Sequence, residues 1–232
     1  MGLERLRSKW EVLINPLITR MGNVPPSVLT WSTIPLAILA CYFLLTAERG
    51  FSGGISFILA FLFIILTGVF DGLDGTIARK YGKVSRYGDF LDHTIDRIVD
   101  IALILAISYN SYWILNPIWG WSAALSTLFG SYMGTQAQSV GLGRNYSGFG
   151  RADRVVVTLI GVFLSTLQSF LEISDFHWLG VEWNPMVLVI FTCTLGGIYT
   201  FTVRFFSAGS DLKMLDKQEP LTHTESTTKV DE

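Results

Sequence analysis

Apolar residues dominate long stretches of this chain, and charge is confined to short segments between them. Met21–Ala47, Gly50–Phe70, Ile101–Gly143, Val155–Leu171 and Trp183–Val203 carry no Asp, Glu, Lys or Arg over 27, 21, 43, 17 and 21 residues. A membrane-spanning helix needs about 20 mostly apolar residues, so each run is one span, and the longest supplies most of two. Pro117 divides that run, because proline lacks the N–H and clashes with the preceding turn. The pattern predicts spans near 27–47, 53–78, 88–108, 116–138, 152–171 and 184–206. Upstream, Leu3, Leu6, Trp10, Leu13, Ile14 and Leu17 recur at helical spacing with charged residues between them. That is the pattern of an amphipathic helix lying in the membrane interface. Pro25-Pro26 ends it, and Ser27 or Thr30 is placed to cap the first span. From about residue 209 the chain is polar and Thr-rich, and disorder is expected there.

The expected fold is therefore an all-α integral membrane protein. An interfacial helix (1–20) precedes six transmembrane helices (27–206). These form one membrane domain (1–208), followed by a disordered tail (209–232). Composition agrees: half the residues are hydrophobic and the mean hydropathy is +0.44. The net charge of −2, with no basic stripe, excludes nucleic acid as a partner. Lys and Arg fix the orientation. Four lie in 1–20, four in 79–87, three in 139–154 and four from Arg204 onward, whereas the opposite side holds only Arg49. The positive-inside rule puts both termini and the 79–87 loop in the cytoplasm of a multi-pass cell-membrane protein. Aromatic residues at the outer loops, Trp113 and Trp178 among them, read as an interfacial belt. Cys41 and Cys193 fall within predicted spans and imply no disulfide.

The candidate chemistry lies at the junction of spans two and three. Asp71 and Asp74 are three apart, and Asp92 and Asp96 are four apart, so each pair shares a helix face. Carboxylates at a membrane helix end are costly without a partner. Four hard oxygen donors without His or Cys suit Mg²⁺ or Mn²⁺, and four carboxylates suffice for a pair of ions. Arg79 adds a cation placed to meet phosphate oxygens. Gly75, Ala78 and Gly88 are small where a ligand or a second helix must approach. His93 and Asp89 read as packing and as a first-turn helix charge, and Asp100 as a partner for Arg97.

The spacing Asp-x2-Asp-Gly-x2-Ala-Arg-x8-Gly-x3-Asp-x3-Asp, from Asp71 to Asp96, resembles the signature of the CDP-alcohol phosphotransferase family at all eight positions. The resemblance implies a phospholipid-synthesis enzyme. Such an enzyme moves a diradylglycerol-phosphate group from a CDP-linked lipid to a hydroxyl of a polar acceptor and releases CMP. It implies that Asp71, Asp74 and Asp92 ligate the metals. Asp96 then shares the second metal and serves as general base. Gly75, Ala78 and Arg79 line the nucleotide side, and a homodimer is implied as well. Arg144, Arg151, Arg154 and Arg204 lie at the same ends of the later spans, and Arg151-Ala-Asp-Arg154 resembles the basic element of the family's inositol-phosphate-using synthases. That favours a phosphorylated polyol, inositol phosphate or glycerol phosphate, as acceptor. Serine as acceptor, or CDP-choline and CDP-ethanolamine as donors, are the alternatives within the family. Gln136 and Gln138 depart from it, standing where those synthases carry a basic residue. Outside the family, the competing classes are a divalent-cation transporter, an intramembrane aspartyl protease and an inactive scaffold.

Overall fold

A computed structural model describes residues 16, 18–143 and 147–218. They form six long α-helices: α1 (Pro26–Thr46), α2 (Phe51–Lys80), α3 (Arg86–Ser108), α4 (Ile118–Ser139), α5 (Arg151–Phe170) and α6 (Pro185–Gln218). A two-residue turn joins short strands β1 (Phe176–Trp178) and β2 (Val181–Trp183), with Phe176 opposite Trp183. Four helices, α1, α2, α5 and α6, are long and apolar enough to cross a membrane. Packing runs round a closed ring in the order α1, α2, α5, α6, α4, α3 and back to α1. Although a short loop joins α2 to α3, each packs on α1.

The distribution of side chains is that of a bundle immersed in lipid. Ala37, Ala40 and Ala60 are buried, while Ile38, Tyr42, Ile55, Ile58 and Leu62 on the same helices are exposed. Small residues inside let helices approach closely, and large apolar residues outside meet the acyl chains. The seam between α4 and α6 shows how tight this is. A Cβ on Gly197 would lie 2.6 Å from the backbone carbon of Ser126, and one on Gly130 would meet Thr200 at 3.2 Å. These glycines serve packing within one chain.

Two helix ends and one aromatic residue differ from expectation. Neither Ser27 nor Thr30 caps α1. Pro25 is the N-cap and makes no side-chain cap bond, since Pro26 at the first helical position has no N–H to satisfy. The tail is not disordered from residue 209: α6 continues to Gln218. Polarity misled there, because Asp211–Gln218 is rich in good helix formers and extends a helix already nucleated by packing. Residues 219–232 lie outside the described residues. So does most of the expected interfacial helix, though 18–21 are helical and Ile18 is buried against Leu29, Leu73 and Ile77. Trp113 is no belt residue. It is 2% exposed, meets Phe57 edge-on and donates from Nε1 to the Ala47 carbonyl at 3.1 Å.

Trp113 belongs to a polar knot at the end of the bundle away from the acidic motif. Arg49 stacks 3.7 Å over its ring and forks onto Asp175 at 2.8 and 2.6 Å. Gln168 and Asn184 also donate to Asp175, and Asn110 donates to the carbonyls of Leu44 and Ala47, which close α1. The knot ties α1, α5 and α6 to the intervening loops, and so holds the ring closed at the end remote from the site.

Candidate active site

The last three turns of α2 and the first three of α3 carry the acidic motif. α3 starts cleanly because Ser85 accepts a bond from the Gly88 N–H at 3.0 Å, and Asp89 places negative charge in the first turn. One carboxylate oxygen each from Asp71, Asp92 and Asp96 fall within 4.8 Å of one another. Two oxygens on one Mg²⁺ sit roughly 3–4 Å apart, so a small contraction would form a site. All the donors are hard oxygens, as Mg²⁺ and Mn²⁺ require. A cation already stands among them: Arg151 Nη1 lies 2.6 Å from Asp71 Oδ2 and 2.8 Å from Asp96 Oδ1. The cluster is thus built to hold positive charge.

Asp74 sits beside this group rather than in it. It is 4% exposed, accepts from Thr30 Oγ1 at 2.5 Å, and accepts from the Gly75 N–H at 2.5 Å. With Asp92 it lines a cavity of about 410 Å³ that also takes in Gly75, Ala78, Arg79 and Gly88. The expected nucleotide-side residues therefore share one cleft, open next to the carboxylates. Gly75 is small for a local reason: a Cβ there would lie 3.2 Å from the Arg79 guanidinium. His93 stays within 3.6 Å of Asp92 and is half exposed.

The arginines gather on the far side of the acidic cluster. Arg151 and Arg154 open α5, and Arg204 reaches in from α6. With Arg97 of α3 they line a cavity of about 30 Å³, together with Thr127 and Thr200. Arg204 is held by the carbonyls of Gly130 (2.8 Å) and Ser147 (3.0 Å). Asp100 is the buried hub: it pairs with Arg154, lies 3.8 Å from Arg97 and 3.7 Å from Arg151. Arg144 lies outside the described residues. Gln136 and Gln138 are exposed, and α4 faces the cavity with Thr127, Gly130 and Ser131 instead. Sequence reading gave no site role to Thr30, Arg97 or Thr127. Arg97 and Asp100 carried a signal, as charges inside a span. Thr30 and Thr127 carried none, since only the ring order brings them in.

Fold and site together define a multi-pass membrane protein with a carboxylate cluster fit for divalent metal, flanked by a cleft and an arginine-lined cavity. The chain belongs to the CDP-alcohol phosphatidyltransferase family, whose family model matches residues 23–193. It is 30% identical over 212 residues to a phosphatidylinositol phosphate synthase of Cutibacterium acnes, covering 87% of this chain and 95% of that one. An archaetidylinositol phosphate synthase of Pyrococcus horikoshii is 30% identical over 170 residues, 71% and 81% of the two chains. The fold resembles that of the Mycobacterium tuberculosis phosphatidylinositol phosphate synthase, solved with CDP-DAG bound (TM-score 0.62, 22% identity, 83% and 92% covered). The same enzyme, solved with manganese and citrate, matches with TM-score 0.62, 22% identity and coverage of 83% and 87%. The protein is accordingly a transferase of phospholipid synthesis. It moves a phosphatidyl-type group from a CDP-linked lipid to the hydroxyl of a polar acceptor, with Mg²⁺ or Mn²⁺ as cofactor.

Proposed function

We propose that the acceptor is a phosphorylated inositol and that the product is a phosphatidylinositol-phosphate-type lipid. One observation carries the choice of a phosphorylated acceptor. Arg97, Arg151, Arg154 and Arg204 surround one small cavity directly behind Asp71 and Asp96. Several guanidinium forks against one buried carboxylate leave net positive charge suited to a phosphate dianion and wasted on serine. The names of the Cutibacterium and Pyrococcus relatives support the same acceptor class. Glycerol phosphate satisfies the same charge, and the names of the relatives favour inositol phosphate over it.

In this reading Asp71, Asp92 and Asp96, with Asp74 turning in from the cleft, hold the metal. When bound, divalent ions neutralise charge building on the diphosphate and on the departing CMP. The cleft at Gly75, Ala78 and Arg79 takes the nucleotide, with Arg79 against phosphate oxygens. Asp96 lies between cleft and cavity and takes the proton of the acceptor hydroxyl. That oxygen then bonds to the phosphorus carrying the diradylglycerol, as the bond from this phosphorus to CMP breaks. The reading includes six spans over one membrane domain, an interfacial N-terminal helix, both termini and the site on the cytoplasmic side, and a homodimer. Arg144 completes the acceptor set.

The test is CMP release by the purified full chain in detergent with Mn²⁺ and a CDP-linked diacylglycerol. Inositol phosphate, glycerol phosphate, inositol and serine serve as acceptors, with Asp96→Asn as blank. Release with inositol phosphate, absent from the blank, is expected. Release with serine or free inositol alone would refute the acceptor assignment.

A further inference from the structure

Arg151 stands in two sites at once. Its Nη1 bridges Asp71 Oδ2 on α2 and Asp96 Oδ1 on α3, at 2.6 and 2.8 Å. These are two of the three residues whose oxygens could together hold an ion. The other edge of the same guanidinium faces the arginine cavity: Nε lies 3.7 Å from Asp100 Oδ1, is buried, and has no hydrogen-bond partner. Arg154 Nε and Thr127 Oγ1, also lining that cavity, are buried without partners too. The cavity thus holds donors waiting for an acceptor. The acidic cluster, meanwhile, is satisfied by a residue that belongs equally to the cavity.

We propose that Arg151 is the internal counter-cation of the metal-free site and leaves Asp71 and Asp96 when the site takes its metal, turning toward Asp100 and the cavity. A guanidinium and a divalent cation cannot share the same two oxygens, because like charges at contact distance repel inside a poorly screened protein. Without either cation, the gathered carboxylates would repel one another. Arg151 therefore lets the empty cluster exist, and its release adds a fork of donors to the cavity only after the metal is in place. Metal and acceptor anion then bind with positive coupling, and the coupling is reciprocal. The acceptor is thereby drawn in only where the catalytic charge is already present. This inference rests on the assignment of metal and acceptor sites above.

The experiment needs no turnover. Mn²⁺ binding to the full chain in detergent is followed by the electron paramagnetic resonance signal of free Mn²⁺, without CDP-lipid, and with or without glycerol 3-phosphate as anion probe. In wild type the anion is expected to tighten Mn²⁺ by about 5-fold or more, the usual lower range for coupled sites. Arg151→Ala should bind Mn²⁺ more tightly than wild type without the anion, and should lose most of the anion's effect. Lys217→Ala, which removes an exposed cation in the last turn of α6, should leave both Mn²⁺ affinity and the anion's effect unchanged. Thermal melts check folding: metal-free Arg151→Ala should melt below wild type and recover with Mn²⁺. Arg151→Gln, a longer neutral side chain, repeats the measurement if the alanine variant fails to fold. Equal or weaker Mn²⁺ binding in both neutral variants would overturn the counter-cation role. An unchanged anion effect in both would overturn the coupling. If wild type shows no anion effect, the coupling is also overturned, and the acceptor panel then tells whether the acceptor assignment falls with it.

Discussion

Thr30 on α1 donates a 2.5 Å hydrogen bond to Oδ2 of Asp74 on α2, across 44 residues of sequence. The bond joins two helices that frame the cleft and holds Asp74 beside the cluster of Asp71, Asp92 and Asp96. Asp74 is nearly fully buried, so a lost donor would leave one of its oxygens short of a partner.

Thr30→Val keeps the shape and removes the donor. We expect the chain to fold, with Mn²⁺ titrations of activity shifted about 10-fold higher, the lower range for losing a residue that orients a metal ligand, the role proposed for Asp74. Thr30→Ser should restore most of the loss. An unchanged Mn²⁺ requirement in Thr30→Val would show that the bond does not position Asp74.

Asp100 is the carboxylate on which the arginine cavity is organised, and it is 6% exposed. Replacing it with Asn leaves Arg154 buried beside a neutral group. Breaking one side of a buried ion pair costs about 3–5 kcal/mol. Asp100→Asn should therefore lower the thermal midpoint in detergent. In the enzyme that remains folded, the KM for the phosphorylated acceptor should rise more than that for the CDP-linked lipid. Equal rises in both would argue for general loosening.

Helices and the family signature were legible in the chain because both are local. Uncharged runs mark helices, and the eight signature positions lie within 26 residues. The ring order was not, since it depends on which helix faces interlock. Pairings such as Thr30 with Asp74 or Asp100 with Arg154 follow from that order alone. Trp113 was misread for the same reason: its apolar ring and N–H suit either a membrane interface or a buried cap over α1. The end of α6 was misjudged because a solvated helix and a polar coil share a composition.

The α4–α6 seam offers a stability test with an internal control. Gly197→Ala places a Cβ 2.6 Å from backbone of Ser126, which cannot swing aside, so the helices must part. A loss of about 1–3 kcal/mol is expected, as for other overpacked sites. Gly68→Ala on α2 meets nothing within 4 Å and should be neutral or stabilising by up to about 1 kcal/mol. Unfolding of both in the same detergent would compare them directly. Equal midpoints would show the seam to be looser than its geometry.

At the opposite end, Asp175 gives the bundle a pH dependence separate from the chemistry. Burial pushes its carboxyl up. The bonds from Arg49, Asn184 and Gln168, with the Arg49 charge, outweigh this and hold it below the usual carboxylate range. The folded state therefore favours the ionised form. The stability this contributes is complete above the unfolded value of about 3.9 and is lost as pH falls through the lower folded value. Asp175→Asn removes the charge at every pH. The variant should melt below wild type at pH 6, and the gap should close as pH drops below about 4. Arg49 is partly exposed, so added salt should also narrow the gap at pH 6. A gap constant from pH 6 to pH 3 would mean that Asp175 acts there through shape and neutral hydrogen bonding rather than through its charge.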